Sequence, residues 1–178
     1  KLNFERKFES LISATEEKEI KSELIRTKSI IGATLNLFWQ GSLYERLDAK
    51  GRYENTLYAL KNLFKAESLR GAIAIELDDG HWIDSDTKSF LEILTQNINE
   101  YPIVIIAACR FNDDGSEFSL GLKDIDNKRI NLEYLSKETA EKMIVENLSD
   151  CKNSEKGKVI PPKTLNAIFD RSEGNPFY

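Results

Sequence analysis

The chain has 178 residues, 40% of them hydrophobic and 31% charged, with a formal net charge of −5 at pH 7. That length suffices for one domain, or one domain with a small appendage, around a real core. The acidic balance gives no general attraction to nucleic acid or anionic membranes, and no apolar run nears the ~20 residues of a membrane span.

In chain order, the first predicted element is a helix from Phe4 to about Lys28, dense in Glu, Lys, Leu and Ile, with Ser13-Ala-Thr-Glu16 forming a capping-box pattern inside it. Gly32 to Leu47 reads as either helix or irregular structure. Tyr53, Leu57, Leu60 and Phe64 fall at helical spacing, which predicts an amphipathic helix over Arg52–Ser68. A β-branched run, Ala72–Leu77, predicts a strand, and a helix follows from about Asp86 to Asn99 until Tyr101-Pro102 breaks it. Ile103–Cys109 is apolar at every position, the mark of a central strand in a parallel sheet, and places Cys109 within it. Asn112-Asp-Asp-Gly115 signals a turn. A weaker strand, Lys128–Leu132, precedes a helix capped by Ser136, stapled by Leu135 and Ala140, and reaching about Leu148. Ser149–Lys158 is linker-like, and Pro161-Pro162 opens a last helix with Leu165, Ile168 and Phe169 on one face. The alternation predicts an α/β fold with a parallel sheet and flanking helices over residues 1–148, a linker at 149–158, and a small helical part over 159–178.

The chemistry concentrates in Ile73-Ala-Ile-Glu-Leu-Asp78-Asp79-Gly-His81-Trp82-Ile-Asp84, where an apolar strand ends in two adjacent acids. Open parallel sheets bind ligands beyond the carboxyl ends of their strands, so the pair suits metal-phosphate chemistry; helix capping and a solvated turn are the plain alternative. Arg110 follows the second strand at the same edge and is suited either to a phosphate or to a salt bridge with the acids. His81, the only histidine, reads as packing beside Trp82, and Asp84 reads as a helix N-cap. Glu76, inside the strand, receives no role. Gly174 reads locally as part of a helix C-cap.

Together these segments resemble the STAND-type regulatory ATPases, a branch of the P-loop NTPases close to AAA proteins. Ile73–Asp84 resembles the Walker B segment, Ile103-Val-Ile-Ile-Ala-Ala-Cys-Arg110 the sensor strand, and Arg171-Ser-Glu-Gly174-Asn-Pro176-Phe-Tyr178 the Gly-x-Pro motif. Trp39-Gln-Gly-Ser-Leu-Tyr44-Glu-Arg-Leu-Asp48 and Tyr53-Glu-Asn-Thr-Leu57 look like the bacterial subgroup often fused to adenylate cyclase, kinase or transcription-factor modules. The resemblance implies a partial P-loop sheet of the ASCE type, Mg²⁺ held through water by Asp78, Asp79 as general base, Arg110 at the γ-phosphate, and Gly174 and Pro176 at the adenine. No Gly-x-x-x-x-Gly-Lys-Ser/Thr occurs in the chain. The expectation is therefore a segment of a longer cytoplasmic signalling protein whose parent binds and hydrolyses Mg-ATP, the segment alone being inactive. Its partners would be effector or sensor domains of the same polypeptide, and its exposed sheet edge could serve self-association. A non-catalytic interaction module on a degenerate NTPase fold is the second expectation. A metal-dependent phosphohydrolase using Asp78, Asp79 and Asp84 is a third.

Overall fold

A computed structural model describes residues 1–123, 125–149 and 160–175, excluding the side chains of 148 and 149. Pro176, Cys151 and nearly all of the 149–158 linker lie outside the described residues. The chain divides into two compact units, Lys1–Asp126 and Asn127–Tyr178. Among the described residues the fold is mixed α/β, with seven helices and one two-stranded parallel sheet. None of these helices is long and apolar enough to cross a membrane.

In the first unit the predicted long N-terminal helix is two helices, α1 (Leu2–Ala14) and α2 (Lys18–Thr34). The break falls at Thr15, which turns to extended backbone (φ −83°, ψ 114°) while its hydroxyl donates to Leu11 O at 2.8 Å. Ser13 stays inside α1, and the residue preceding α2 is Glu17, so the capping-box pattern marks the right place without forming the box. After an irregular stretch and a single helical turn, α3 (Leu43–Arg46), Asp48 caps α4 (Ala49–Ser68) by accepting the Gly51 N–H at 2.8 Å.

The helix α4 is the hub. Ala59 and Ala66 join Phe8, Leu11, Ile20, Leu24, Ile30 and Ile31 in one core, while Phe64 packs into a second core under the sheet. This two-sided burial explains why Tyr53, placed by helical spacing on the apolar face, is exposed. Lys61 is buried, and its ammonium donates to Gln96 O at 2.6 Å. Gln96 follows the end of α5, where free carbonyls favour a cation. Burial, with Lys65 nearby, holds the Lys61 pKa below its usual value.

The sheet pairs β1 (Ile73–Leu77) with β2 (Ile103–Ala107) in parallel, Ile73 opposite Ile103 and Leu77 opposite Ala107. The helix α5 (Ser85–Thr95) connects them and lays Leu91 and Leu94 against Ile75, Leu77, Ile103 and Ile105. Asn97, at φ 52°, turns the chain back towards β2. Three expectations are corrected here. The second strand ends at Ala107, where β1 runs out of pairing residues, so Cys109 lies beyond it and is exposed. β2 has only β1 as a neighbour among the described residues, and its outward Val104 and Ile106 are exposed, so it is not buried on both faces. Lys128–Leu132 is not a strand; a strand is defined by its ladder, and this segment takes no part in the described sheet.

The second unit contains α6 (Lys137–Ser149) and α7 (Pro162–Ser172). Ser136 caps α6 as its sequence suggests, accepting the Thr139 N–H at 3.3 Å. α7 begins with proline at its first position and ends with Glu173 in the left-handed region (φ 51°). Gly174 follows at φ 82°, and a Cβ there would stand 2.5 Å from Leu135 O, so only glycine fits.

Candidate functional site

The ladder of the two strands continues one step past their ends. Ala108 N–H donates to Leu77 O at 2.9 Å, and Gly80 N–H donates to Ala108 O at 2.8 Å. The turn after β1 is thereby tied to the segment after β2, which puts the acids and Arg110 at one edge. Gly80 is required by that closeness: a Cβ would approach Cys109 Sγ to 2.9 Å. Sequence reasoning passed over this glycine, although its place directly after two acids was the available signal.

Asp78 is exposed, and its Oδ1 accepts the Asp79 N–H at 3.0 Å, which aims the side chain. Asp79 adopts φ 50°, ψ 43°, a left-handed conformation that Asp and Asn tolerate better than other residues with a Cβ, and that Asn36, Asn97 and Glu173 share. It opens the 3₁₀ turn Gly80–Trp82, with Trp82 N–H donating to Asp79 O at 2.8 Å. Asp79 Oδ1 lies 4.0 Å from Arg110 Nε and 3.9 Å from His81 Nε2. With side chains 46% and 77% exposed, the Asp79–Arg110 pair adds little stability.

His81 is more than packing. Its ring does rest against Trp82 and Phe118, with centroids 5.1 and 6.5 Å away. It also accepts the Arg110 backbone N–H at Nδ1, at a long 3.5 Å, while its Nε2 faces Asp79 Oδ1 at 3.9 Å. One imidazole therefore touches both members of the acid–arginine pair. Leu77, Asp78, Asp79, Gly80, Trp82 and Ile83 line an open concavity of about 230 Å³.

Asp84 stands apart from this chemistry. Its carboxylate caps α5, accepting Thr87 N–H at 2.8 Å and Thr87 Oγ1–H at 3.0 Å. The hydrogen bond from the Thr87 backbone N–H, reinforced by that from its hydroxyl, lowers the Asp84 pKa. The expected trio of Asp78, Asp79 and Asp84 as a metal cage does not form, and no group of three or more His, Cys, Asp or Glu assembles among the described residues. Two neighbouring carboxylates still suit Mg²⁺, which keeps several waters and takes one or two protein carboxylates alongside substrate phosphates. Gly174 belongs to the second unit, in the helix-ending role described above.

No protein-family model matches this chain, and neither a curated protein nor a solved structure does.

Proposed function

We propose that these residues form part of a STAND-type regulatory ATPase domain with a P-loop sheet, contributing the Mg²⁺ and water end of its ATP site. The observation that carries the reading is the meeting of Asp79 and Arg110 beyond the carboxyl ends of two parallel strands. The left-handed backbone at Asp79 supports it by setting this acid beside an open concavity lined by Leu77, Asp78, Gly80, Trp82 and Ile83.

In this reading Asp78, its side chain aimed by the Asp79 amide, would hold Mg²⁺ through water, and the bound ion would supply charge neutralisation at the phosphates. Asp79 accepts the proton of the attacking water at Oδ2, because Oδ1 is turned to Arg110 and His81. Arg110, largely exposed, is free to swing from Asp79 to a γ-phosphate. The assignment of Gly174 and Pro176 to the adenine rests on the resemblance alone. No Gly-x-x-x-x-Gly-Lys-Ser/Thr, the motif whose amides and lysine hold the β- and γ-phosphates, occurs in the sequence, so in this reading the chain by itself does not bind Mg-ATP tightly.

The test is the Mg²⁺ dependence of ATP hydrolysis by the full-length parent carrying Asp78→Asn. Loss of a carboxylate acting through metal-bound water raises the half-saturating Mg²⁺ about 10- to 100-fold. An unchanged Mg²⁺ requirement defeats the assignment and favours the non-catalytic interaction module.

A further inference from the structure

The bonds between the two strand ends continue into a side chain. Ala108 N–H reaches Leu77 O at 2.9 Å, and Gly80 N–H reaches Ala108 O at 2.8 Å. Every second residue of a parallel strand faces the same neighbour, so the next amide in line is that of Arg110. It meets His81 Nδ1, at 3.5 Å, in place of a carbonyl. The ring is held where it stands by Trp82 and Phe118, with centroids 5.1 and 6.5 Å away. Its side chain is 15% exposed, against 46% for Asp79 and 77% for Arg110, so the imidazole is the fixed member of the three. Packing alone would be served by any flat ring, yet here both nitrogens face groups of the site.

We propose that His81 is the positioning residue of this site, holding the Arg110 backbone through Nδ1 and taking over Asp79 Oδ1 through Nε2–H when the guanidinium leaves for a phosphate. This role rests on the ATPase reading and adds to it what holds the base once the arginine moves. A ring nitrogen that accepts an N–H carries no proton, so the hydrogen of the neutral ring sits on Nε2. Arg110 Nε and His81 Nε2 both face Asp79 Oδ1, at 4.0 and 3.9 Å. When Arg110 turns away, Nε2–H is the donor left beside Oδ1, and Oδ2 stays aimed at the attacking water. Catalytic hydrogen bonds are commonly this long without substrate and shorten when it binds. His81 does not itself take the proton of the water, because the Arg110 amide occupies Nδ1 and Nε2 already carries a hydrogen.

His81 is the only histidine, so its tautomer is read directly from the ring nitrogens of the untagged, ¹⁵N-labelled 178-residue chain, recorded well above the ordinary imidazole pKa. The folded chain is expected to keep the proton on Nε2 more completely than the urea-unfolded chain; an equal or greater share on Nδ1 overturns the proposal. In the full-length parent, His81→Phe keeps a ring between Trp82 and Phe118 and removes both nitrogens. It should lower kcat for ATP about 10- to 100-fold while KM for Mg-ATP stays within about twofold. His81→Gln, whose amide N–H can stand where Nε2 does, should recover most of that loss, and His81→Asn, which replaces only Nδ1, little of it. Circular dichroism confirms that each variant folds. Full turnover by His81→Phe beside an inactive Asp79→Asn overturns the positioning role and leaves the ATPase reading standing. Equal losses in His81→Phe and His81→Gln overturn it as well. A parent whose turnover survives Asp79→Asn removes the reading, and this role with it.

Discussion

The left-handed backbone at Asp79 makes a prediction whose sign is opposite to the ordinary rule. In most positions glycine is less stable than alanine by about 0.5–1 kcal/mol, because its unfolded chain has more freedom to lose. At φ 50°, ψ 43° a Cβ crowds the following carbonyl, at a cost of about 1–2 kcal/mol that glycine avoids. The difference leaves Asp79→Gly about 1 kcal/mol more stable than Asp79→Ala. Side-chain losses do not disturb the comparison, since both variants forfeit the same exposed 4.0 Å contact with Arg110. Asp79→Asn should match the parent, because a short polar side chain tolerates this region. In thermal melts followed by circular dichroism the Gly–Ala gap corresponds to about 3 °C for a chain of this size. Urea melts at fixed slope should give the same order. If Asp79→Ala equals or exceeds Asp79→Gly in stability, the left-handed turn is wrong and so is the placement of the acid.

The phenol of Tyr101 donates to Glu17 Oε2 at 2.7 Å, and burial together with that bond pushes its pKa up to about 12. Its contribution is present below the unfolded value near 10 and disappears as pH rises through 12, so urea midpoints between pH 10 and 12 should fall more for the parent than for Tyr101→Phe. Leu94, fully buried between α5 and the sheet, should cost about 2–5 kcal/mol as Leu94→Ala by urea titration; a loss under 1 kcal/mol contradicts the packing. Isothermal titration of Mg-ATP into the 178-residue chain should give no micromolar binding, since no phosphate-loop motif occurs in its sequence.

The parts of the fold written in local sequence are the ones that read correctly. The β-branched runs at Ile73–Leu77 and Ile103–Ala107 are strands, Asp84 and Ser136 are caps, and Pro162 opens α7. The misreadings come from interactions that local sequence does not contain. Glu16 and Glu17 are good helix formers, yet the helix stops there, and Glu17 bonds Tyr101, 84 residues away. Cys109 looks like strand because its neighbours are apolar, but a strand ends where its partner's pairing residues end. Apolarity on both faces of β2 was legible; that one face lies bare was not. At the site, adjacency announced Asp78 and Asp79 and their nearness to Arg110 followed from a shared sheet edge. The left-handed turn at Asp79 and the double contact of His81 depend on the cross-strand bond from Gly80 to Ala108, which only the folded chain reveals.

The central claim is that Asp79 handles a proton at the water end of an ATP site. Its most direct test is phosphate release by the full-length parent carrying Asp79→Asn, measured beside its Mg-ATP affinity. An amide of the same shape keeps the left-handed turn and cannot take the proton, so turnover should fall roughly 10²- to 10⁴-fold while affinity holds. Undiminished phosphate release by Asp79→Asn would contradict the account.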